Sequence, residues 1–264
     1  EGTAEIRELF NEDVFAFPKP STLTRQLLRL FVNENYSTDY FILDFFAGSA
    51  TTAQAVFELN KVDNGNRKFI LIQLPEPCEE NSEAYKAGYK TITDISKERI
   101  RRIIKKIETE QAEEKKKKEG QLDFGEKAES KPLDLGFKAF KLSPSNFKIW
   151  RGSEINEENL VQQLDAFTNP VREGSEQENM LFELMLKAGY LLTDKVEKIE
   201  NFYSIKSGEL LIAIESINQA TVDKMIASQP KKVIALDILF KDNDQLKTNT
   251  VLQMKDAGVD FKTI

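Results

Sequence analysis

The feature that most constrains the fold of this chain is a pair of short apolar runs on either side of a helical pattern. The stretch FILDFFAGSATTAQAVFELN, residues 41–60, starts with an apolar run that ends at Asp44 and passes through a small-residue loop into a helix. A second run, FILIQLP, occupies residues 69–75. A strand, a helix and a strand in such quick succession predict a βαβ unit with parallel strands and a right-handed crossover. We therefore expect an α/β fold.

A second α/β unit is expected towards the C-terminus, where apolar runs again alternate with helical patterns. We expect strands within 201–208, 209–216 and 231–240, the last of them parallel, and helices over 176–190, 219–228 and 243–258. The predicted domains are 1–150 and 151–264, with a charge-rich linker at about 108–132. Residues 1–40 are interpreted as a charged lead-in followed by a helix from Ser21 or Thr22, and 135–150 as a strand and a loop.

Composition excludes several kinds of chemistry. The 264 residues include no histidine and a single cysteine, Cys78. Ser-His-Asp and Cys-His nucleophile systems are therefore excluded, and a zinc site or any other metal site is not expected. One cysteine forms no internal disulfide, and no run approaches the ~20 apolar residues of a membrane helix. With EGTAEIRELF unlike a signal peptide, we expect a soluble cytoplasmic protein without membrane association.

A helix that starts near Asp94 or Ser96 carries opposed apolar and basic faces. Ile100, Ile103, Ile104 and Ile107 repeat at helical spacing. The basic face holds Arg99, Arg101, Arg102, Lys105 and Lys106. A solvated face is the favoured interpretation, and a stripe that contacts DNA or a partner is the alternative.

The loop after the first apolar run suits only some ligands. No Gly-Lys pair occurs there and Gly48 is its one glycine, which excludes a P-loop and disfavours a dinucleotide fingerprint. Asp44, at the end of a strand, is placed to bind a ligand ammonium or hydroxyl group, and loop N–H groups could approach a carboxylate. S-adenosylmethionine offers an ammonium, a carboxylate and a ribose diol.

The motifs resemble those of a known family. DFFAGSATT is similar to the S-adenosylmethionine-binding motif of amino-methyltransferases that act on DNA, commonly Asp-(Pro/Phe)-Phe-(Ala/Met)-Gly-Ser-Gly-Thr-Thr. FPKPSTLTRQLL and FILIQLPEP resemble the flanking motifs of the β-class order. GTAEIRELF, ITDISKERIRRIIKKIE, LGFKAFKLSPSNFKIW and NDQLKTNTVLQMKDAG resemble stretches of type III restriction–modification methylation subunits, so the resemblance covers essentially the whole chain.

This resemblance implies a partial Rossmann-like methyltransferase sheet, a smaller C-terminal α/β domain and a set of cofactor contacts. Asp44 would contact the methionine amino group, and Thr51 and Thr52 would cap the helix and help seat the carboxyl group. Gln73, with Glu76 three residues on, stands where an acid usually holds the ribose. The remaining expected pocket residues are Phe45, Phe46, Ala47, Gly48 and Ser49 along the loop and Lys19, Pro20 and Ser21 on the other side. Ala50 replaces a usual glycine, which disfavours a positive φ there.

The catalytic motif of this class, (Asp/Asn/Ser)-Pro-Pro-aromatic, is absent, because no two of the eight prolines are adjacent. We expect a C-terminal portion of an adenine-N6 methyltransferase that is inactive alone, acts on DNA within the full subunit and has a restriction subunit as partner. Such a portion should leave an apolar sheet face or strand edge uncovered, which dimerisation or residues 155–264 would cover. The alternatives are an assembly module without a ligand, an unrelated α/β protein, and an active-site loop at Asp244 and Lys247 in place of a capped helix.

Overall fold

The computed structural model describes residues 1–30, 39–119, 132–149 and 152–264. The chain divides into two compact units, Glu1–Ala139 and Phe140–Ile264, so the division precedes the predicted boundary at residue 150. The first unit contains α1 (Gly2–Phe10), α2 (Ser21–Leu30), β1 (Phe41–Asp44), α3 (Thr51–Asp63), β2 (Lys68–Leu71), α4 (Glu83–Lys86) and α5 (Ile92–Glu119). The second contains α6 (Leu160–Thr168), α7 (Gln177–Lys187), β3 (Val196–Ile199), β4 (Phe202–Ile205), β5 (Leu210–Ala213), α8 (Gln219–Ala227), β6 (Lys232–Ala235), α9 (Asp244–Asp256) and β7 (Asp260–Thr263).

The two apolar runs of the first unit pair as the sequence predicts. β1 and β2 are parallel, with Phe41 opposite Lys68 and Asp44 opposite Leu71. The helix between them, α3, is buried over most of its length and packs on α5 through Phe57 and the α5 isoleucines. The mixed α/β class is confirmed.

The first ten residues are not a charged lead-in. They form α1, in which Ile6 is fully buried and Phe10 nearly so. Both side chains join a small apolar cluster with Val14 and Ile95. The prediction was wrong because three charged residues in a short window conceal a one-sided apolar spacing, Ile6 and Phe10 at i and i+4.

The predicted linker at 108–132 is also wrong over its first part. α5 continues without interruption to Glu119, and residues 120–131 lie outside the described part of the chain. Glu, Lys, Gln and Ala are strong helix formers, so a charged segment can extend a helix that a buried face has already nucleated. Lys61 of α3 supports this extension by an ion pair with Glu110 at 2.8 Å.

The basic face of α5 is solvated only in part, and a contact of this face with DNA or a partner stays a prediction. Arg99 is fully buried, and Arg102 stacks over the Phe10 ring at 4.6 Å and donates to the Leu9 carbonyl. Lys106 pairs with Glu8 at 2.7 Å. Arg99, Arg102 and Lys106 therefore contact other segments, chiefly α1, while Arg101, Lys105 and Lys106 are exposed to solvent.

The second unit is built on a five-stranded mixed sheet in the order β3-β4-β5-β6-β7. The first two pairings are antiparallel and the last two parallel, which confirms the parallel strand expected within 231–240. One face packs on α7 and the other on α8 and α9. Residues 132–149, as described, contain no strand, and Phe147 forms only an isolated bridge with Val171.

Helix ends in the second unit follow local chemistry. Gly189 follows α7 with a φ of +86°, as a helix-terminating glycine should. The Asn243 side chain accepts from the Leu246 N–H at 3.0 Å and caps α9. The capped-helix interpretation of 243–258 is thus confirmed, and Lys247 pairs with Asp237 at 2.6 Å.

The first unit exposes an apolar surface on its small sheet. We call this surface the sheet face; it comprises Leu43, Phe45, Phe46, Ile70, Ile72 and Leu74, each between 47% and 79% exposed. Three leucines of α2, Leu23, Leu27 and Leu30, are open as well, each at least 46% exposed. In the described ranges, every helix is too short or too polar to cross a bilayer.

Candidate cofactor site

The loop between β1 and α3 is a tight turn. The Ile72 N–H donates to the Asp44 carbonyl at 2.8 Å, and the Ala47 N–H donates to the Ile72 carbonyl at 3.2 Å, so pairing with the β2 side continues into the loop. The Ala50 N–H then closes the turn on the Ala47 carbonyl at 2.8 Å. Gly48 has a φ of +52°.

Ala50 corrects one expectation from the sequence. Its φ is +63°, in the left-handed region that its side chain disfavours, although it replaces a usual glycine. Ala50 is also buried and packs in the α3–α5 core. The packed methyl group and the adjacent turn therefore hold a conformation that local preference alone would not select.

Asp44 is held by two hydrogen bonds and yet keeps an accessible carboxylate. One carboxylate oxygen accepts from the Phe46 N–H at 3.1 Å and the other from the Thr52 hydroxyl at 2.6 Å. The side chain is only half-buried. Each carboxylate oxygen has two lone pairs, so both keep capacity for a further donor.

Thr51 and Thr52 do not cap α3, contrary to expectation. The N-cap residue is Ala50, and no side chain caps the helix there. The Thr52 hydroxyl is directed to Asp44, while the Thr51 hydroxyl donates to the Lys19 carbonyl at 3.2 Å. Because Ala50 at the N-cap has a positive φ, neither hydroxyl bonds to the free N–H groups of the first turn. Each hydroxyl instead connects α3 to another segment.

Gln73 supports the loop from the β2 side. Its side-chain oxygen accepts from the Gly48 N–H at 2.8 Å, and its amide nitrogen contacts the Leu74 carbonyl at 3.3 Å. Glu76 is exposed, and its backbone carbonyl accepts from the Ile92 N–H at 2.9 Å. A role of either side chain towards a ribose stays a prediction.

The segment before α2 approaches the loop from another direction. Pro20 is half-buried, the Lys19 side chain is exposed, and Ser21 is buried. The backbone N–H of Ser21 donates to the Glu5 carboxylate at 3.0 Å, and its hydroxyl does so at 3.1 Å. Glu5 was missed by sequence reasoning, because nothing in the pattern of residues 1–10 indicates its distant partner.

Arg99 is the second residue that sequence reasoning missed. Its guanidinium donates to the Ser49 hydroxyl at 2.7 Å, to the Thr51 hydroxyl at 2.8 Å and to the Glu5 carboxylate at 3.1 Å. Two more N–H groups donate to the Gln54 side-chain oxygen at 3.0 and 2.8 Å. Burial lowers the pKa of Arg99, while the charge of Glu5 opposes that shift.

Two cavities lie near these residues. One, of about 300 Å³, is lined by Asp44, Phe45, Phe46 and Thr52 together with Leu27 and neighbours. The other, of about 440 Å³, has mainly apolar walls that include Phe15, Phe17, Pro77, Cys78 and Ile92. Burial raises the pKa of the Cys78 thiol. The expected residues are therefore divided: Asp44 and Thr52 open into the first cavity, while Ser49 and Thr51 are turned to Arg99.

The donor set suits S-adenosylmethionine. A half-exposed carboxylate with free lone pairs matches an ammonium group, and an apolar cavity with aromatic walls matches an adenine ring. In the described residues, no three acidic or cysteine side chains converge as metal ligands.

The chain is similar to Mod subunits of type III restriction–modification enzymes. It is 29% identical to the EcoP15I Mod subunit of Escherichia coli over 262 residues, which cover 95% of this chain and 36% of the relative. It is 47% identical to the StyLTI Mod subunit of Salmonella typhimurium over 107 residues, 40% of this chain and 16% of the relative.

A further relative is the type II methyltransferase M.KpnI of Klebsiella pneumoniae, 40% identical over 98 residues, which cover 37% of this chain and 22% of that protein. No family model matches the sequence. The chain thus spans about a third of the length of the relative that it matches almost end to end. Three Mod subunits match this chain, one of them over nearly all of its residues, so the chain is a homologue of part of a Mod subunit of a type III restriction–modification enzyme.

Proposed function

We propose that this chain is the S-adenosylmethionine-binding part of a type III DNA adenine-N6 methyltransferase. The observation that carries the proposal is the Asp44 carboxylate, fixed at the carboxyl end of β1 by the Phe46 N–H and the Thr52 hydroxyl. Ligands of parallel α/β sheets bind outside the carboxyl ends of the strands. The relatives add support, since two of those reported are named Mod subunits and the third is named a methyltransferase.

The residues of the chain would act by binding and orientation. Asp44 would accept from the ammonium group of the ligand, and the turn at Gly48 would leave room for its carboxylate end. The open cavity walled by Phe15, Phe17 and Pro77 would offer the adenine ring an apolar surface to pack on. When bound, S-adenosylmethionine supplies a methyl group activated by a sulfonium. Without a Pro-Pro-aromatic motif, the chain would bind this cofactor and not transfer the methyl group by itself.

The test is a calorimetric titration of S-adenosylmethionine and S-adenosylhomocysteine into the full chain. Asp44→Asn should weaken binding at least tenfold, because a charge-assisted hydrogen bond contributes about 1.5–3 kcal/mol and each 1.4 kcal/mol is about tenfold. Asp134→Asn is the matched control, since the Asp134 carboxylate also accepts from the N–H two residues on, at 2.9 Å, but lies outside the site. A folded chain that binds neither ligand would contradict the proposal.

The second candidate function, an assembly module, is favoured by the sheet face. Exposed apolar surface of this kind marks protein–protein contacts. Within a full subunit we propose contacts with DNA and a restriction subunit, and for this chain alone a homodimer. A cytoplasmic location belongs to the same proposal, since a lone cysteine suits a reducing compartment.

A further inference from the structure

Arg99 is buried at the point where the segments of the candidate site meet. Its side chain is fully inaccessible to solvent, yet it carries a charge and five N–H donors. All five donors are used, by the Ser49 and Thr51 hydroxyls, the Gln54 amide oxygen and the Glu5 carboxylate. Arginines are rarely buried to this extent unless they are paired and fully hydrogen-bonded.

These contacts connect Arg99 to three segments of the candidate site. Ser49 belongs to the loop, and Thr51 belongs to the first turn of α3. Glu5 passes the connection on to Ser21 at the start of α2. α5 makes a second contact with the loop, because the Ser96 hydroxyl donates to the Gly48 carbonyl at 2.5 Å.

The turn needs such support. Gly48 and Ala50 both have positive φ values, and Ala50 is strained at its value. A strained backbone persists only where its surroundings determine it; here Ser96 donates to the Gly48 carbonyl, and Arg99 donates to the Ser49 and Thr51 hydroxyls. Without the guanidinium, the buried oxygens of Ser49, Thr51 and Gln54 would lose the N–H donors that Arg99 supplies.

We propose that Arg99 is a positioning residue, which sets the conformation of the loop 47–51 and, through it, the affinity of the site for S-adenosylmethionine. The affinity part rests on the proposed function, while the conformational part does not. Arg99 makes no contact with the cavity that holds Asp44, so its effect would be indirect.

The experiment compares Arg99→Lys with Arg67→Lys in the full chain. Arg67 is a matched control in the same unit, because its side chain is 1% exposed and hydrogen-bonded to Asp63, Asn60 and Tyr40, away from the loop. Both variants lose a buried fork of donors and should lose stability in denaturant titrations. Amide hydrogen exchange is then followed in peptides covering 44–52 and 60–70.

We expect Arg99→Lys to raise exchange at least tenfold in 44–52 and little in 60–70, and Arg67→Lys to do the reverse. The dissociation constant for S-adenosylmethionine should rise at least tenfold in Arg99→Lys and less than threefold in Arg67→Lys. If Arg99→Lys does not fold, Ser49→Ala removes one of the five contacts and should give the same pattern in smaller measure.

The outcomes separate the two proposals. Faster exchange confined to 44–52 in a chain whose wild type binds no S-adenosylmethionine would support the conformational role of Arg99 and overturn the proposed function. If the wild type binds S-adenosylmethionine but Arg99→Lys and Arg67→Lys raise hydrogen exchange in 44–52 equally, the role of Arg99 would be overturned. Faster loop exchange with unchanged affinity would overturn the link from the loop to the cofactor.

Discussion

At the scale of single residues, conformation at the loop departs from what each side chain prefers. Ala50 holds a φ of +63°, while Ala53, three residues on in α3, has helical geometry. Both methyl groups are buried in the same apolar cluster. The two positions therefore differ mainly in backbone conformation, which allows the strain at Ala50 to be measured.

We expect Ala50→Gly to change the free energy of unfolding by less than about 1 kcal/mol. The variant loses a buried methyl group and gains conformational entropy in the unfolded state, but relief of about 1–2 kcal/mol of left-handed backbone strain offsets both losses. Ala53→Gly should lower it by about 2 kcal/mol, since no strain is relieved there. Urea unfolding of both variants measures the difference. Equal losses would show that Ala50 is not strained.

At the scale of elements, one carboxylate attaches an irregular segment to a helix in the second unit. Glu183 of α7 accepts from the Asn146 N–H at 2.7 Å and from the Ser145 hydroxyl, and it pairs with Lys187 at 2.8 Å. Burial raises the pKa of Glu183, but the hydrogen bonds from Lys187, Ser145 and Asn146 outweigh it and lower the pKa from 4.5 to about 2. These contacts hold the segment on α7 in place of the strand that its sequence suggests.

The sign of the pH dependence follows from that lowered pKa. A carboxyl group whose pKa is lower in the folded state stabilises the fold above its unfolded pKa, and the contribution disappears as the pH falls from about 4.5 towards 2. The full contribution is on the order of 3 kcal/mol. Glu183→Gln should lower stability at pH 7 and remove part of its decline below pH 5.

Denaturant unfolding from pH 7 to pH 3 measures this, with Glu178→Gln as the control because Glu178 is exposed on the same helix. If Glu183→Gln and the wild type lost stability in parallel as the pH falls, Glu183 would not be the group responsible.

At the scale of the whole molecule, the two units differ in how well they cover their sheets. The five-stranded sheet has an apolar cluster with helices on each face. The two-stranded sheet leaves Leu43, Phe46 and Leu74 between 57% and 79% exposed. The sheet of the first unit therefore exposes an apolar surface, whereas both faces of the sheet in the second unit are covered.

We expect this surface to promote self-association of the isolated chain. The net charge of −7 repels like copies, so association should strengthen as salt screens that repulsion. Leu43→Asp should lower the mean molar mass in sedimentation equilibrium. Leu142→Asp is the control, since Leu142 is 99% exposed and lies in the second unit. A wild type that remains monomeric at all salt concentrations would count against a homodimer.

Much of the fold was determined by local pattern. The period of the apolar residues is enough to identify β1, α3 and β2, most of the second sheet, and the parallel pairing that a βαβ unit requires. The candidate loop could be recognised because its small residues and Asp44 are contiguous. These features depend on neighbours within one or two turns, which the sequence displays directly.

Only the tertiary structure decided which groups support the loop. Arg99 and Glu5 are 94 positions apart, and their contact exists because α1 and α5 pack together through Ile6 and Ile95. Sequence spacing carries no information about such a pair, so Arg99 was assigned to a basic face and Glu5 to a lead-in. Packing likewise determines the positive φ of Ala50. It also determines the partners of the Thr51 and Thr52 hydroxyls at the start of α3, because burial outweighs the preference of a single residue.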